Sequence, residues 1–453
     1  MRTGDHPPRD VGPMNRRPRS ISVSGKPAWR LPASLQQHLR ALRGQWWAYR
    51  YWLLLALPVV ALGTAVGLFV HTVTHSGTFT GSAVAARPSA SARPFAWPLR
   101  LTGRVNILLI GVDVTISERR QVLPTSRSDT LMLLSFDPQR ARINVLSIPR
   151  DTFTVIPRFG PDRINAAYAA GGPRLTIRTV EDLLGVPVHY YVKLGPSSFG
   201  RIVDAMGGVE VDVEKDMTYT DWWANLYIDL KKGRQLLSGD QAMQYMRFRH
   251  DDEGDIGRVR RQQQVFLAIA QRIKSPAMIL LSPRLLQAFV QHTQTNLSVS
   301  ELITLGVFAA RLHTADIHTA TLPGEAGPIY VYLDEAQMRQ IVAEMFLGVN
   351  SQTLASTAVE VLNASGVPGL ARQTAQRLER LGFRIVRVEA AAQLAQTTTV
   401  IDRTGRPEVA RALADLLGRK PVTYEPGSGA DITIVVAQDL IALDPVKVSQ
   451  TRK

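Results

Sequence analysis

The chain has 453 residues, 45% of them apolar, and a formal charge of +15, which is long enough for two or three domains with real cores. It holds no cysteine, so disulfides, thiolate catalysis and cysteine-ligated metal are excluded. The charge is lopsided: residues 1–51 carry ten Lys/Arg against Asp5 and Asp10, which points to membrane topology rather than to a uniformly basic nucleic-acid binder.

Residues 1–34 are rich in Pro, Arg, Ser and Gly and read as a disordered tail; residues 35–50 suit a short helix at a membrane surface. Residues 52–70, WLLLALPVVALGTAVGLFV, form an uncharged run of nineteen, enough to cross a hydrocarbon core of about 30 Å. Trp46, Trp47, Tyr49 and Tyr51 precede it as an interfacial belt. The basic tail then orients residues 1–51 to the cytoplasm and everything after His71 outside. The long basic segment and the long apolar core favour an uncleaved anchor over a signal peptide cut near Ala83-Val84-Ala85. Residues 72–103 read as a linker.

The main domain spans 104–345. Residues 105–112, 130–136 and 143–148 are short apolar runs, which suit central strands covered on both faces. Helices are expected over 173–184, opened by a proline and closed by Gly185, and over 197–206, stopped by Gly207-Gly208. A strand is expected over 209–213, and Ser238 with Gln241 fits a capping box. Residues 289–312 read as mixed and helical. Interleaved strands and helices imply an α/β fold, a three-layer α-β-α sandwich on a mixed sheet. After a linker at 346–357, a smaller α/β domain over 358–440 is expected. Its strands would be 358–362, 383–389, 398–402 and 432–436, and its helices 370–381 and 407–417. A tail, 441–453, follows.

Residues 245–264, YMRFRHDDEGDIGRVRRQQQ, concentrate five arginines and four acidic residues. On an extended segment Arg247 and Arg249 share a face. Asp251, Asp252, Glu253 and Asp255 would occupy a turn with Gly254 and Gly257. A helix would follow with Val259, Phe266, Ile269 and Ile273 as its apolar stripe and Arg258, Arg261 and Gln262 as its polar one. Converging guanidinium forks suit a phosphate or pyrophosphate; the alternative is a solvated face of mutual ion pairs. Asp113 and Asp129 fall at strand ends, where α/β sheets bind ligands, and their carboxylates suit Mg²⁺, although either alone could be an ordinary turn aspartate. Arg127, Arg150-Asp151, Arg163 and Asn165 stand nearby in sequence.

Taken in order, NILLIGVD, SRSDTLMLLSF, INVLSIPRDT, DRINAAYAAGG, GRIVDAMGGVEVDV and LLSGDQAMQYMRFRHDDEGDIGRVRRQQ resemble the LytR-CpsA-Psr family. Residues 358–437, opening VEVLNASGVPGLA when read from Val359, look like its C-terminal LytR-type domain. The resemblance implies a membrane-anchored, extracytoplasmic phosphotransferase. Such an enzyme moves a glycopolymer from a polyprenyl-pyrophosphate carrier to a muramic acid hydroxyl of peptidoglycan, forming a phosphodiester with the help of Mg²⁺. Carried over by motif, Asp113 and Asp129 hold the metal. Arg127, Arg150, Arg163, Arg247, Arg249, Arg258 and Gln262 contact the pyrophosphate, with Asp255 and Asn165 in support. Arg163 replaces a lysine common in the family, and the interval between Asp113 and Asp129 is long. Two other classes remain beside this one, a transcriptional attenuator and a non-catalytic wall-binding protein. Against the attenuator, the short proline-rich tail carries no helix-turn-helix signal, and no nucleic acid partner is expected.

Overall fold

The three apolar runs lie side by side at the centre of the protein, in a computed structural model that describes residues 95–96, 100–112, 127–221, 226–250, 254–274 and 277–443. A short pair, β1 (Phe95–Ala96) and β2 (Arg100–Leu101), precedes β3 (Val105–Val112), β4 (Ser128–Asp137) and β5 (Arg142–Ile148). A hairpin of β6 (Phe153–Ile156) and β7 (Gly160–Arg163) leads to α1 (Ala166–Leu184), β8 (Tyr190–Leu194) and α2 (Pro196–Ala205). Next come β9 (Val209–Val213), β10 (Met217–Asp221), β11 (Leu226–Leu230) and β12 (Gly233–Leu237), in which β9 pairs with β12 and β10 with β11. Helices α3 (Gly239–Arg247), α4 (Gly254–Ile273) and α5 (Ala277–His292) follow. Then come β13 (Gln294–Thr295), α6 (Val299–Ala310), β14 (Ile317–Thr321), the hairpin β15 (Gly324–Ala326) and β16 (Val331–Leu333), and α7 (Glu335–Val342).

The central sheet has the order β13-β8-β3-β4-β5-β14. It is mixed: β4 runs antiparallel to β3 and β5, whereas β8 and β14 run parallel to β3 and β5. Alternate residues serve opposite faces. Leu108, Ile110, Leu131, Leu133 and Leu146 join the core under α1 with Val180 and Leu184. Ile107, Met132, Leu134 and Val145 join the core on the other face with Leu305 of α6 and Phe266 of α4. Burial on both faces is why these strands read as continuous apolar runs rather than alternating ones. Each fully buried aliphatic side chain contributes roughly 1.5–3 kcal/mol. A third core, around Val203, Met206, Val211, Ile228, Tyr245 and Val265, gathers α2, α3, α4 and the β9–β12 strands.

The helix expected from Pro173 is present, but one turn precedes it. α1 is two segments joined at Gly171 and Gly172, the latter at φ 62 and ψ −157, a conformation open to glycine. The capping box of Ser238 and Gln241 forms at the start of α3. The stretch 289–312 resolves into the end of α5, the short β13 and α6.

Residues 346–357 are packed rather than a loose linker: a π turn over Ala343–Leu347 is followed by α8 (Ser351–Ser356), where Leu354 is fully buried. Beyond it lie β17 (Ala358–Asn363), α9 (Leu370–Arg380), β18 (Arg384–Ala390), β19 (Thr399–Asp402), α10 (Pro407–Leu416), β20 (Val422–Tyr424) and β21 (Ile432–Val436), in the sheet order β18-β17-β21-β19-β20. β20 is the addition to the expected elements; its three exposed residues are too short a run to carry a periodic signal. The described residues lie in one compact unit, in which the C-terminal domain docks beside the N-terminal ends of β3 and β5. Arg377 forks onto the Gly185 carbonyl at 3.1 and 3.0 Å, and Arg419 donates to the Arg104 carbonyl. No helix among the described residues is long and apolar enough to cross a membrane. The tail, the apolar run 52–70, most of 72–103 and Asp113 lie outside the described residues.

Candidate functional site

β3 and β5 run toward the same end of the sheet and β4 starts there, so Val112, Ser128 and Ile148 share that edge. Asp129 is the second residue of β4, beside a register shift at Gly111/Val112. Arg150 follows β5 in the turn through Pro149. Its Nη1 donates to Asp129 Oδ1 at 2.9 Å and its Nε to Asp151 Oδ2 at 3.2 Å. Asp151 Oδ1 also lies 3.6 Å from Arg163 Nη1. The result is a continuous chain of alternating charge, Asp129–Arg150–Asp151–Arg163, in which each member is a quarter to a third exposed. The backbone is fixed as well. Asn165 N–H donates to the Arg150 carbonyl at 3.2 Å and Ile164 N–H to the Thr152 carbonyl at 2.9 Å. The Asn165 side chain is buried, and its Oδ1 has no hydrogen-bond partner among the described residues. Arg127 stands exposed just before β4.

The arginine-rich stretch differs from the extended segment expected. Arg247 is the last residue of α3, Phe248 caps that helix in an extended conformation, and Arg249 follows, exposed. Helix α4 begins at Gly254, so Asp255 and Gly257 are helical rather than in a turn. Asp251–Glu253 and the Asp255 side chain lie outside the described residues. Helix formation wins here because Ser238 nucleates α3 through its capping box and Tyr245 is buried on its inner face.

The inner face of α4 also differs. Val259, read as apolar stripe, is half-buried, whereas Arg258, Arg261, Val265 and Ala268 are buried. Arg261 is fully buried. Its Nη1 donates to the Phe248 carbonyl at 2.9 Å, its Nε donates to Glu214 Oε1 at 2.8 Å, and its guanidinium lies over the Phe248 ring at 5.2 Å. Tyr245 Oη donates to Glu214 Oε2 at 2.8 Å and lies 2.5 Å from Gln264 Oε1. Burial pushes the Tyr245 phenol up, and the Glu214 carboxylate raises it further. Burial alone would raise Glu214, but hydrogen bonds from its own backbone, Tyr245 and Arg261 outweigh it and hold the carboxylate low. His250 stacks on Tyr219 at 5.2 Å. The segment between Arg247 and Arg249 is thereby held at a carbonyl, a ring and the following imidazole.

Gln263 ties α4 to the site edge of the sheet. Its Nε2 donates to Ser147 Oγ at 3.0 Å, the Ala320 carbonyl at 3.1 Å and Thr321 Oγ1 at 3.0 Å. Gln262, the glutamine singled out from sequence, is half-buried one position earlier. Asp151, Glu214, Arg261 and Gln263 are the contributors that sequence reasoning left unassigned. Asp151 had a signal, since it directly follows Arg150 in SIPRD. Among the described residues no three His, Asp or Glu side chains converge on one point.

The family profile LytR_cpsA_psr matches residues 71–347, and a profile described as LytR cell envelope-related transcriptional attenuator matches residues 356–440. The chain is 32% identical over 231 residues to Regulatory protein MsrR of Staphylococcus aureus, a match covering 51% of this chain and 67% of that protein. It is 37% identical over 203 residues to the polyisoprenyl-teichoic acid–peptidoglycan teichoic acid transferase TagU of Bacillus mycoides, covering 44% and 63%. Among solved structures, B. subtilis TagV is 28% identical with a TM-score of 0.47, covering 54% of this chain and 96% of that one. TagT bound to LI-WTA is 28% identical with a TM-score of 0.43, covering 54% and 89%. With more than half of its residues matched by one profile, the chain belongs to the LytR_cpsA_psr family, and it carries that family's LytR-type domain at its C-terminal end.

Proposed function

We propose that this chain is a phosphotransferase that moves a glycopolymer from a polyprenyl-pyrophosphate carrier to peptidoglycan, anchored by residues 52–71 with its large domain outside the membrane. The observation that carries the reading is the chain Asp129–Arg150–Asp151–Arg163 at the sheet edge. Two guanidinium groups are held in place by carboxylates, yet remain partly open to solvent. A TagU relative, named as a teichoic acid transferase, supports the choice of substrate.

In the reaction the acceptor hydroxyl oxygen bonds to the phosphorus that carries the glycan. The bond from that phosphorus to the bridging oxygen breaks, and polyprenyl phosphate leaves. Little covalent chemistry is asked of the protein; positioning and charge neutralisation dominate. Arg150 and Arg163 face the pyrophosphate oxygens, and because carboxylates already orient them, little reorganisation is needed as charge shifts to the leaving phosphate. Arg127, Arg247, Arg249, Arg258 and Gln262 complete the phosphate contacts. Asp129, with one oxygen on Arg150, is a candidate to accept the hydroxyl proton where it is not fully committed to metal. The hard carboxylate oxygens of Asp129, and of Asp113 outside the described residues, fit magnesium, which takes one or two carboxylates and fills its shell from water and substrate phosphate. When bound, the ion would neutralise phosphate charge.

The test is in vitro ligation with a defined polyprenyl-pyrophosphate-linked donor, a peptidoglycan acceptor and magnesium. A phosphodiester-linked product with release of polyprenyl phosphate is expected. Failure to form it, alongside specific binding of DNA, would favour the attenuator reading that the C-terminal profile's description carries.

A further inference from the structure

Beside the charged chain lies a group of aromatic rings that the phosphate chemistry does not use. Phe153 of β6 meets Tyr330 edge-on at 5.2 Å and Tyr332 of β16 at 5.5 Å, and the two tyrosines are 6.0 Å apart. Phe153 is 37% exposed and Tyr332 51%. β6 alternates, with Thr154 and Ile156 buried and Phe153 and Val155 outward, so the exposure follows from strand register rather than from a frayed end.

The cluster is built into the site's own backbone. Val331 N–H donates to the Asp151 carbonyl at 2.8 Å, and Thr152 bridges Val331. Phe153 pairs in register with Arg163. The residue that orients both Arg150 and Arg163 is therefore two positions before one ring and hydrogen-bonded to the strand carrying another.

The rim decides what this surface takes. Glu325 pairs with Tyr332 across its hairpin and is exposed, whereas Asp162, which precedes Arg163, is half-buried and accepts from the Arg163 N–H at 2.7 Å. A lipid bilayer would have to desolvate the Glu325 carboxylate beside the rings. A pyranose has an apolar C–H face for a tilted ring and an edge of hydroxyls for phenol, carboxylate and guanidinium groups. Charge is matched as well, since the sugar's phosphate-bearing partner needs the cations that begin at Arg163. Resting on the transferase reading, we propose that Phe153, Tyr330 and Tyr332 form a saccharide platform that seats the acceptor glycan next to the pyrophosphate arginines.

The test uses the full chain in detergent and, as probe, the soluble β-1,4-linked N-acetylglucosamine tetramer, with binding measured calorimetrically. Tyr332→Ala and Phe153→Ala are expected to weaken binding by about tenfold each, as for loss of one aromatic contact, while Tyr332→Phe keeps most of it. Arg150→Ala should lower transfer by about a hundredfold or more yet bind the tetramer as the unaltered chain does. Unchanged binding in both alanine variants, with unchanged melting curves, overturns the platform; so does the absence of binding by the unaltered chain at millimolar tetramer, or loss of binding to phospholipid vesicles with saccharide binding intact. If the chain binds the tetramer through these rings but transfers nothing, the platform stands and the transferase reading falls.

Discussion

Asp129 and Asp137 stand at opposite ends of the same strand, β4, and each holds an arginine delivered by another element. Asp129 binds Arg150 at 2.9 Å, and Asp137 binds Arg104 at 2.6 Å. Eight residues of strand put them about 26 Å apart. The first pair is a quarter to a third exposed, and the second is buried at 7% and 1%. One end of the sheet leaves its ion pair partly open to solvent; the other buries its pair where the C-terminal domain docks and Arg419 reaches the Arg104 carbonyl.

Opposite outcomes follow for the two arginines. Arg150→Ala should lower transfer by about a hundredfold or more, as for loss of one preorganised donor, with stability changed by under about 1 kcal/mol, as for a partly exposed pair. Arg104→Ala leaves Asp137 buried without its main partner and should cost about 3 kcal/mol of stability, with transfer per folded molecule unchanged. Ligation rates and denaturant melts on both variants check this. A stability loss in Arg150→Ala equal to that of Arg104→Ala would reduce the site to a structural ion pair.

Arg247 and Arg249 flank the cap of α3 rather than alternating along a strand, yet both are expected to act on the pyrophosphate. Either alanine substitution should lose about 2–4 kcal/mol of transition-state stabilisation. Lysine should rescue poorly, because it keeps the charge and loses the fork. The double variant should be less than additive, because both act on one charged group. Ligation kinetics on Arg247→Ala, Arg249→Ala, Arg247→Lys and the double alanine variant decide it, and normal transfer in both single alanine variants would remove these residues from the site.

The central sheet was legible because a strand buried on both faces leaves a run such as VNILLIGV that no other element explains as well. Helix ends were legible where glycine or a capping serine marks them, as at Gly185, Gly207 and Ser238. The arginine stretch was harder. Its alternation of Met246, Arg247, Phe248 and Arg249 has a strand's period over only four residues, and the helical tendency from Ser238 onward overrides it. Nor could composition say which arginine turns inward. Arg258, Arg260 and Arg261 look equivalent, but Arg261 is buried and Arg260 is exposed: both reach Glu214, at 2.8 and 3.3 Å, and Arg261 alone of the two also donates to the Phe248 carbonyl.

His189 supplies a pH dependence. Burial depresses its imidazole from 6.5 to about 3, and its Nδ1 accepts the Asn106 amide at 3.0 Å, which only an unprotonated nitrogen can do. Below pH 6.5 the unfolded chain takes up a proton that the folded chain refuses until about pH 3. The stability this group contributes is therefore complete above pH 6.5 and is lost as pH falls, by at most about 1.4 kcal/mol per unit. Asp415 and Glu181, raised by burial, act in the opposite direction. The informative quantity is thus the difference between the unaltered chain and His189→Asn, whose amide oxygen can still accept from Asn106. Melting temperatures from pH 7 to pH 4 should show the unaltered chain falling more steeply; parallel curves would mean that the imidazole titrates alike in both states.

Arg261 and Tyr245 carry the last prediction. Arg261 touches no exposed surface, yet it holds the one carbonyl between Arg247 and Arg249. Arg261→Met keeps much of the volume but strips Glu214 of its closest cation and leaves the Phe248 carbonyl buried without a donor. A loss of about 3 kcal/mol of stability is expected, as for breaking a buried pair. Tyr245→Phe removes only the hydroxyl between Glu214 and Gln264 and should cost about 1–2 kcal/mol. It also frees Glu214 to draw Arg261 away from Phe248. Because Tyr245 acts through Arg261 and not on the substrate, its loss should loosen the arginine pair and raise the donor KM more than it lowers kcat. A Tyr245→Phe enzyme that is destabilised as expected but has an unchanged donor KM would confine this network to folding and leave Arg247 and Arg249 positioned by α3 alone.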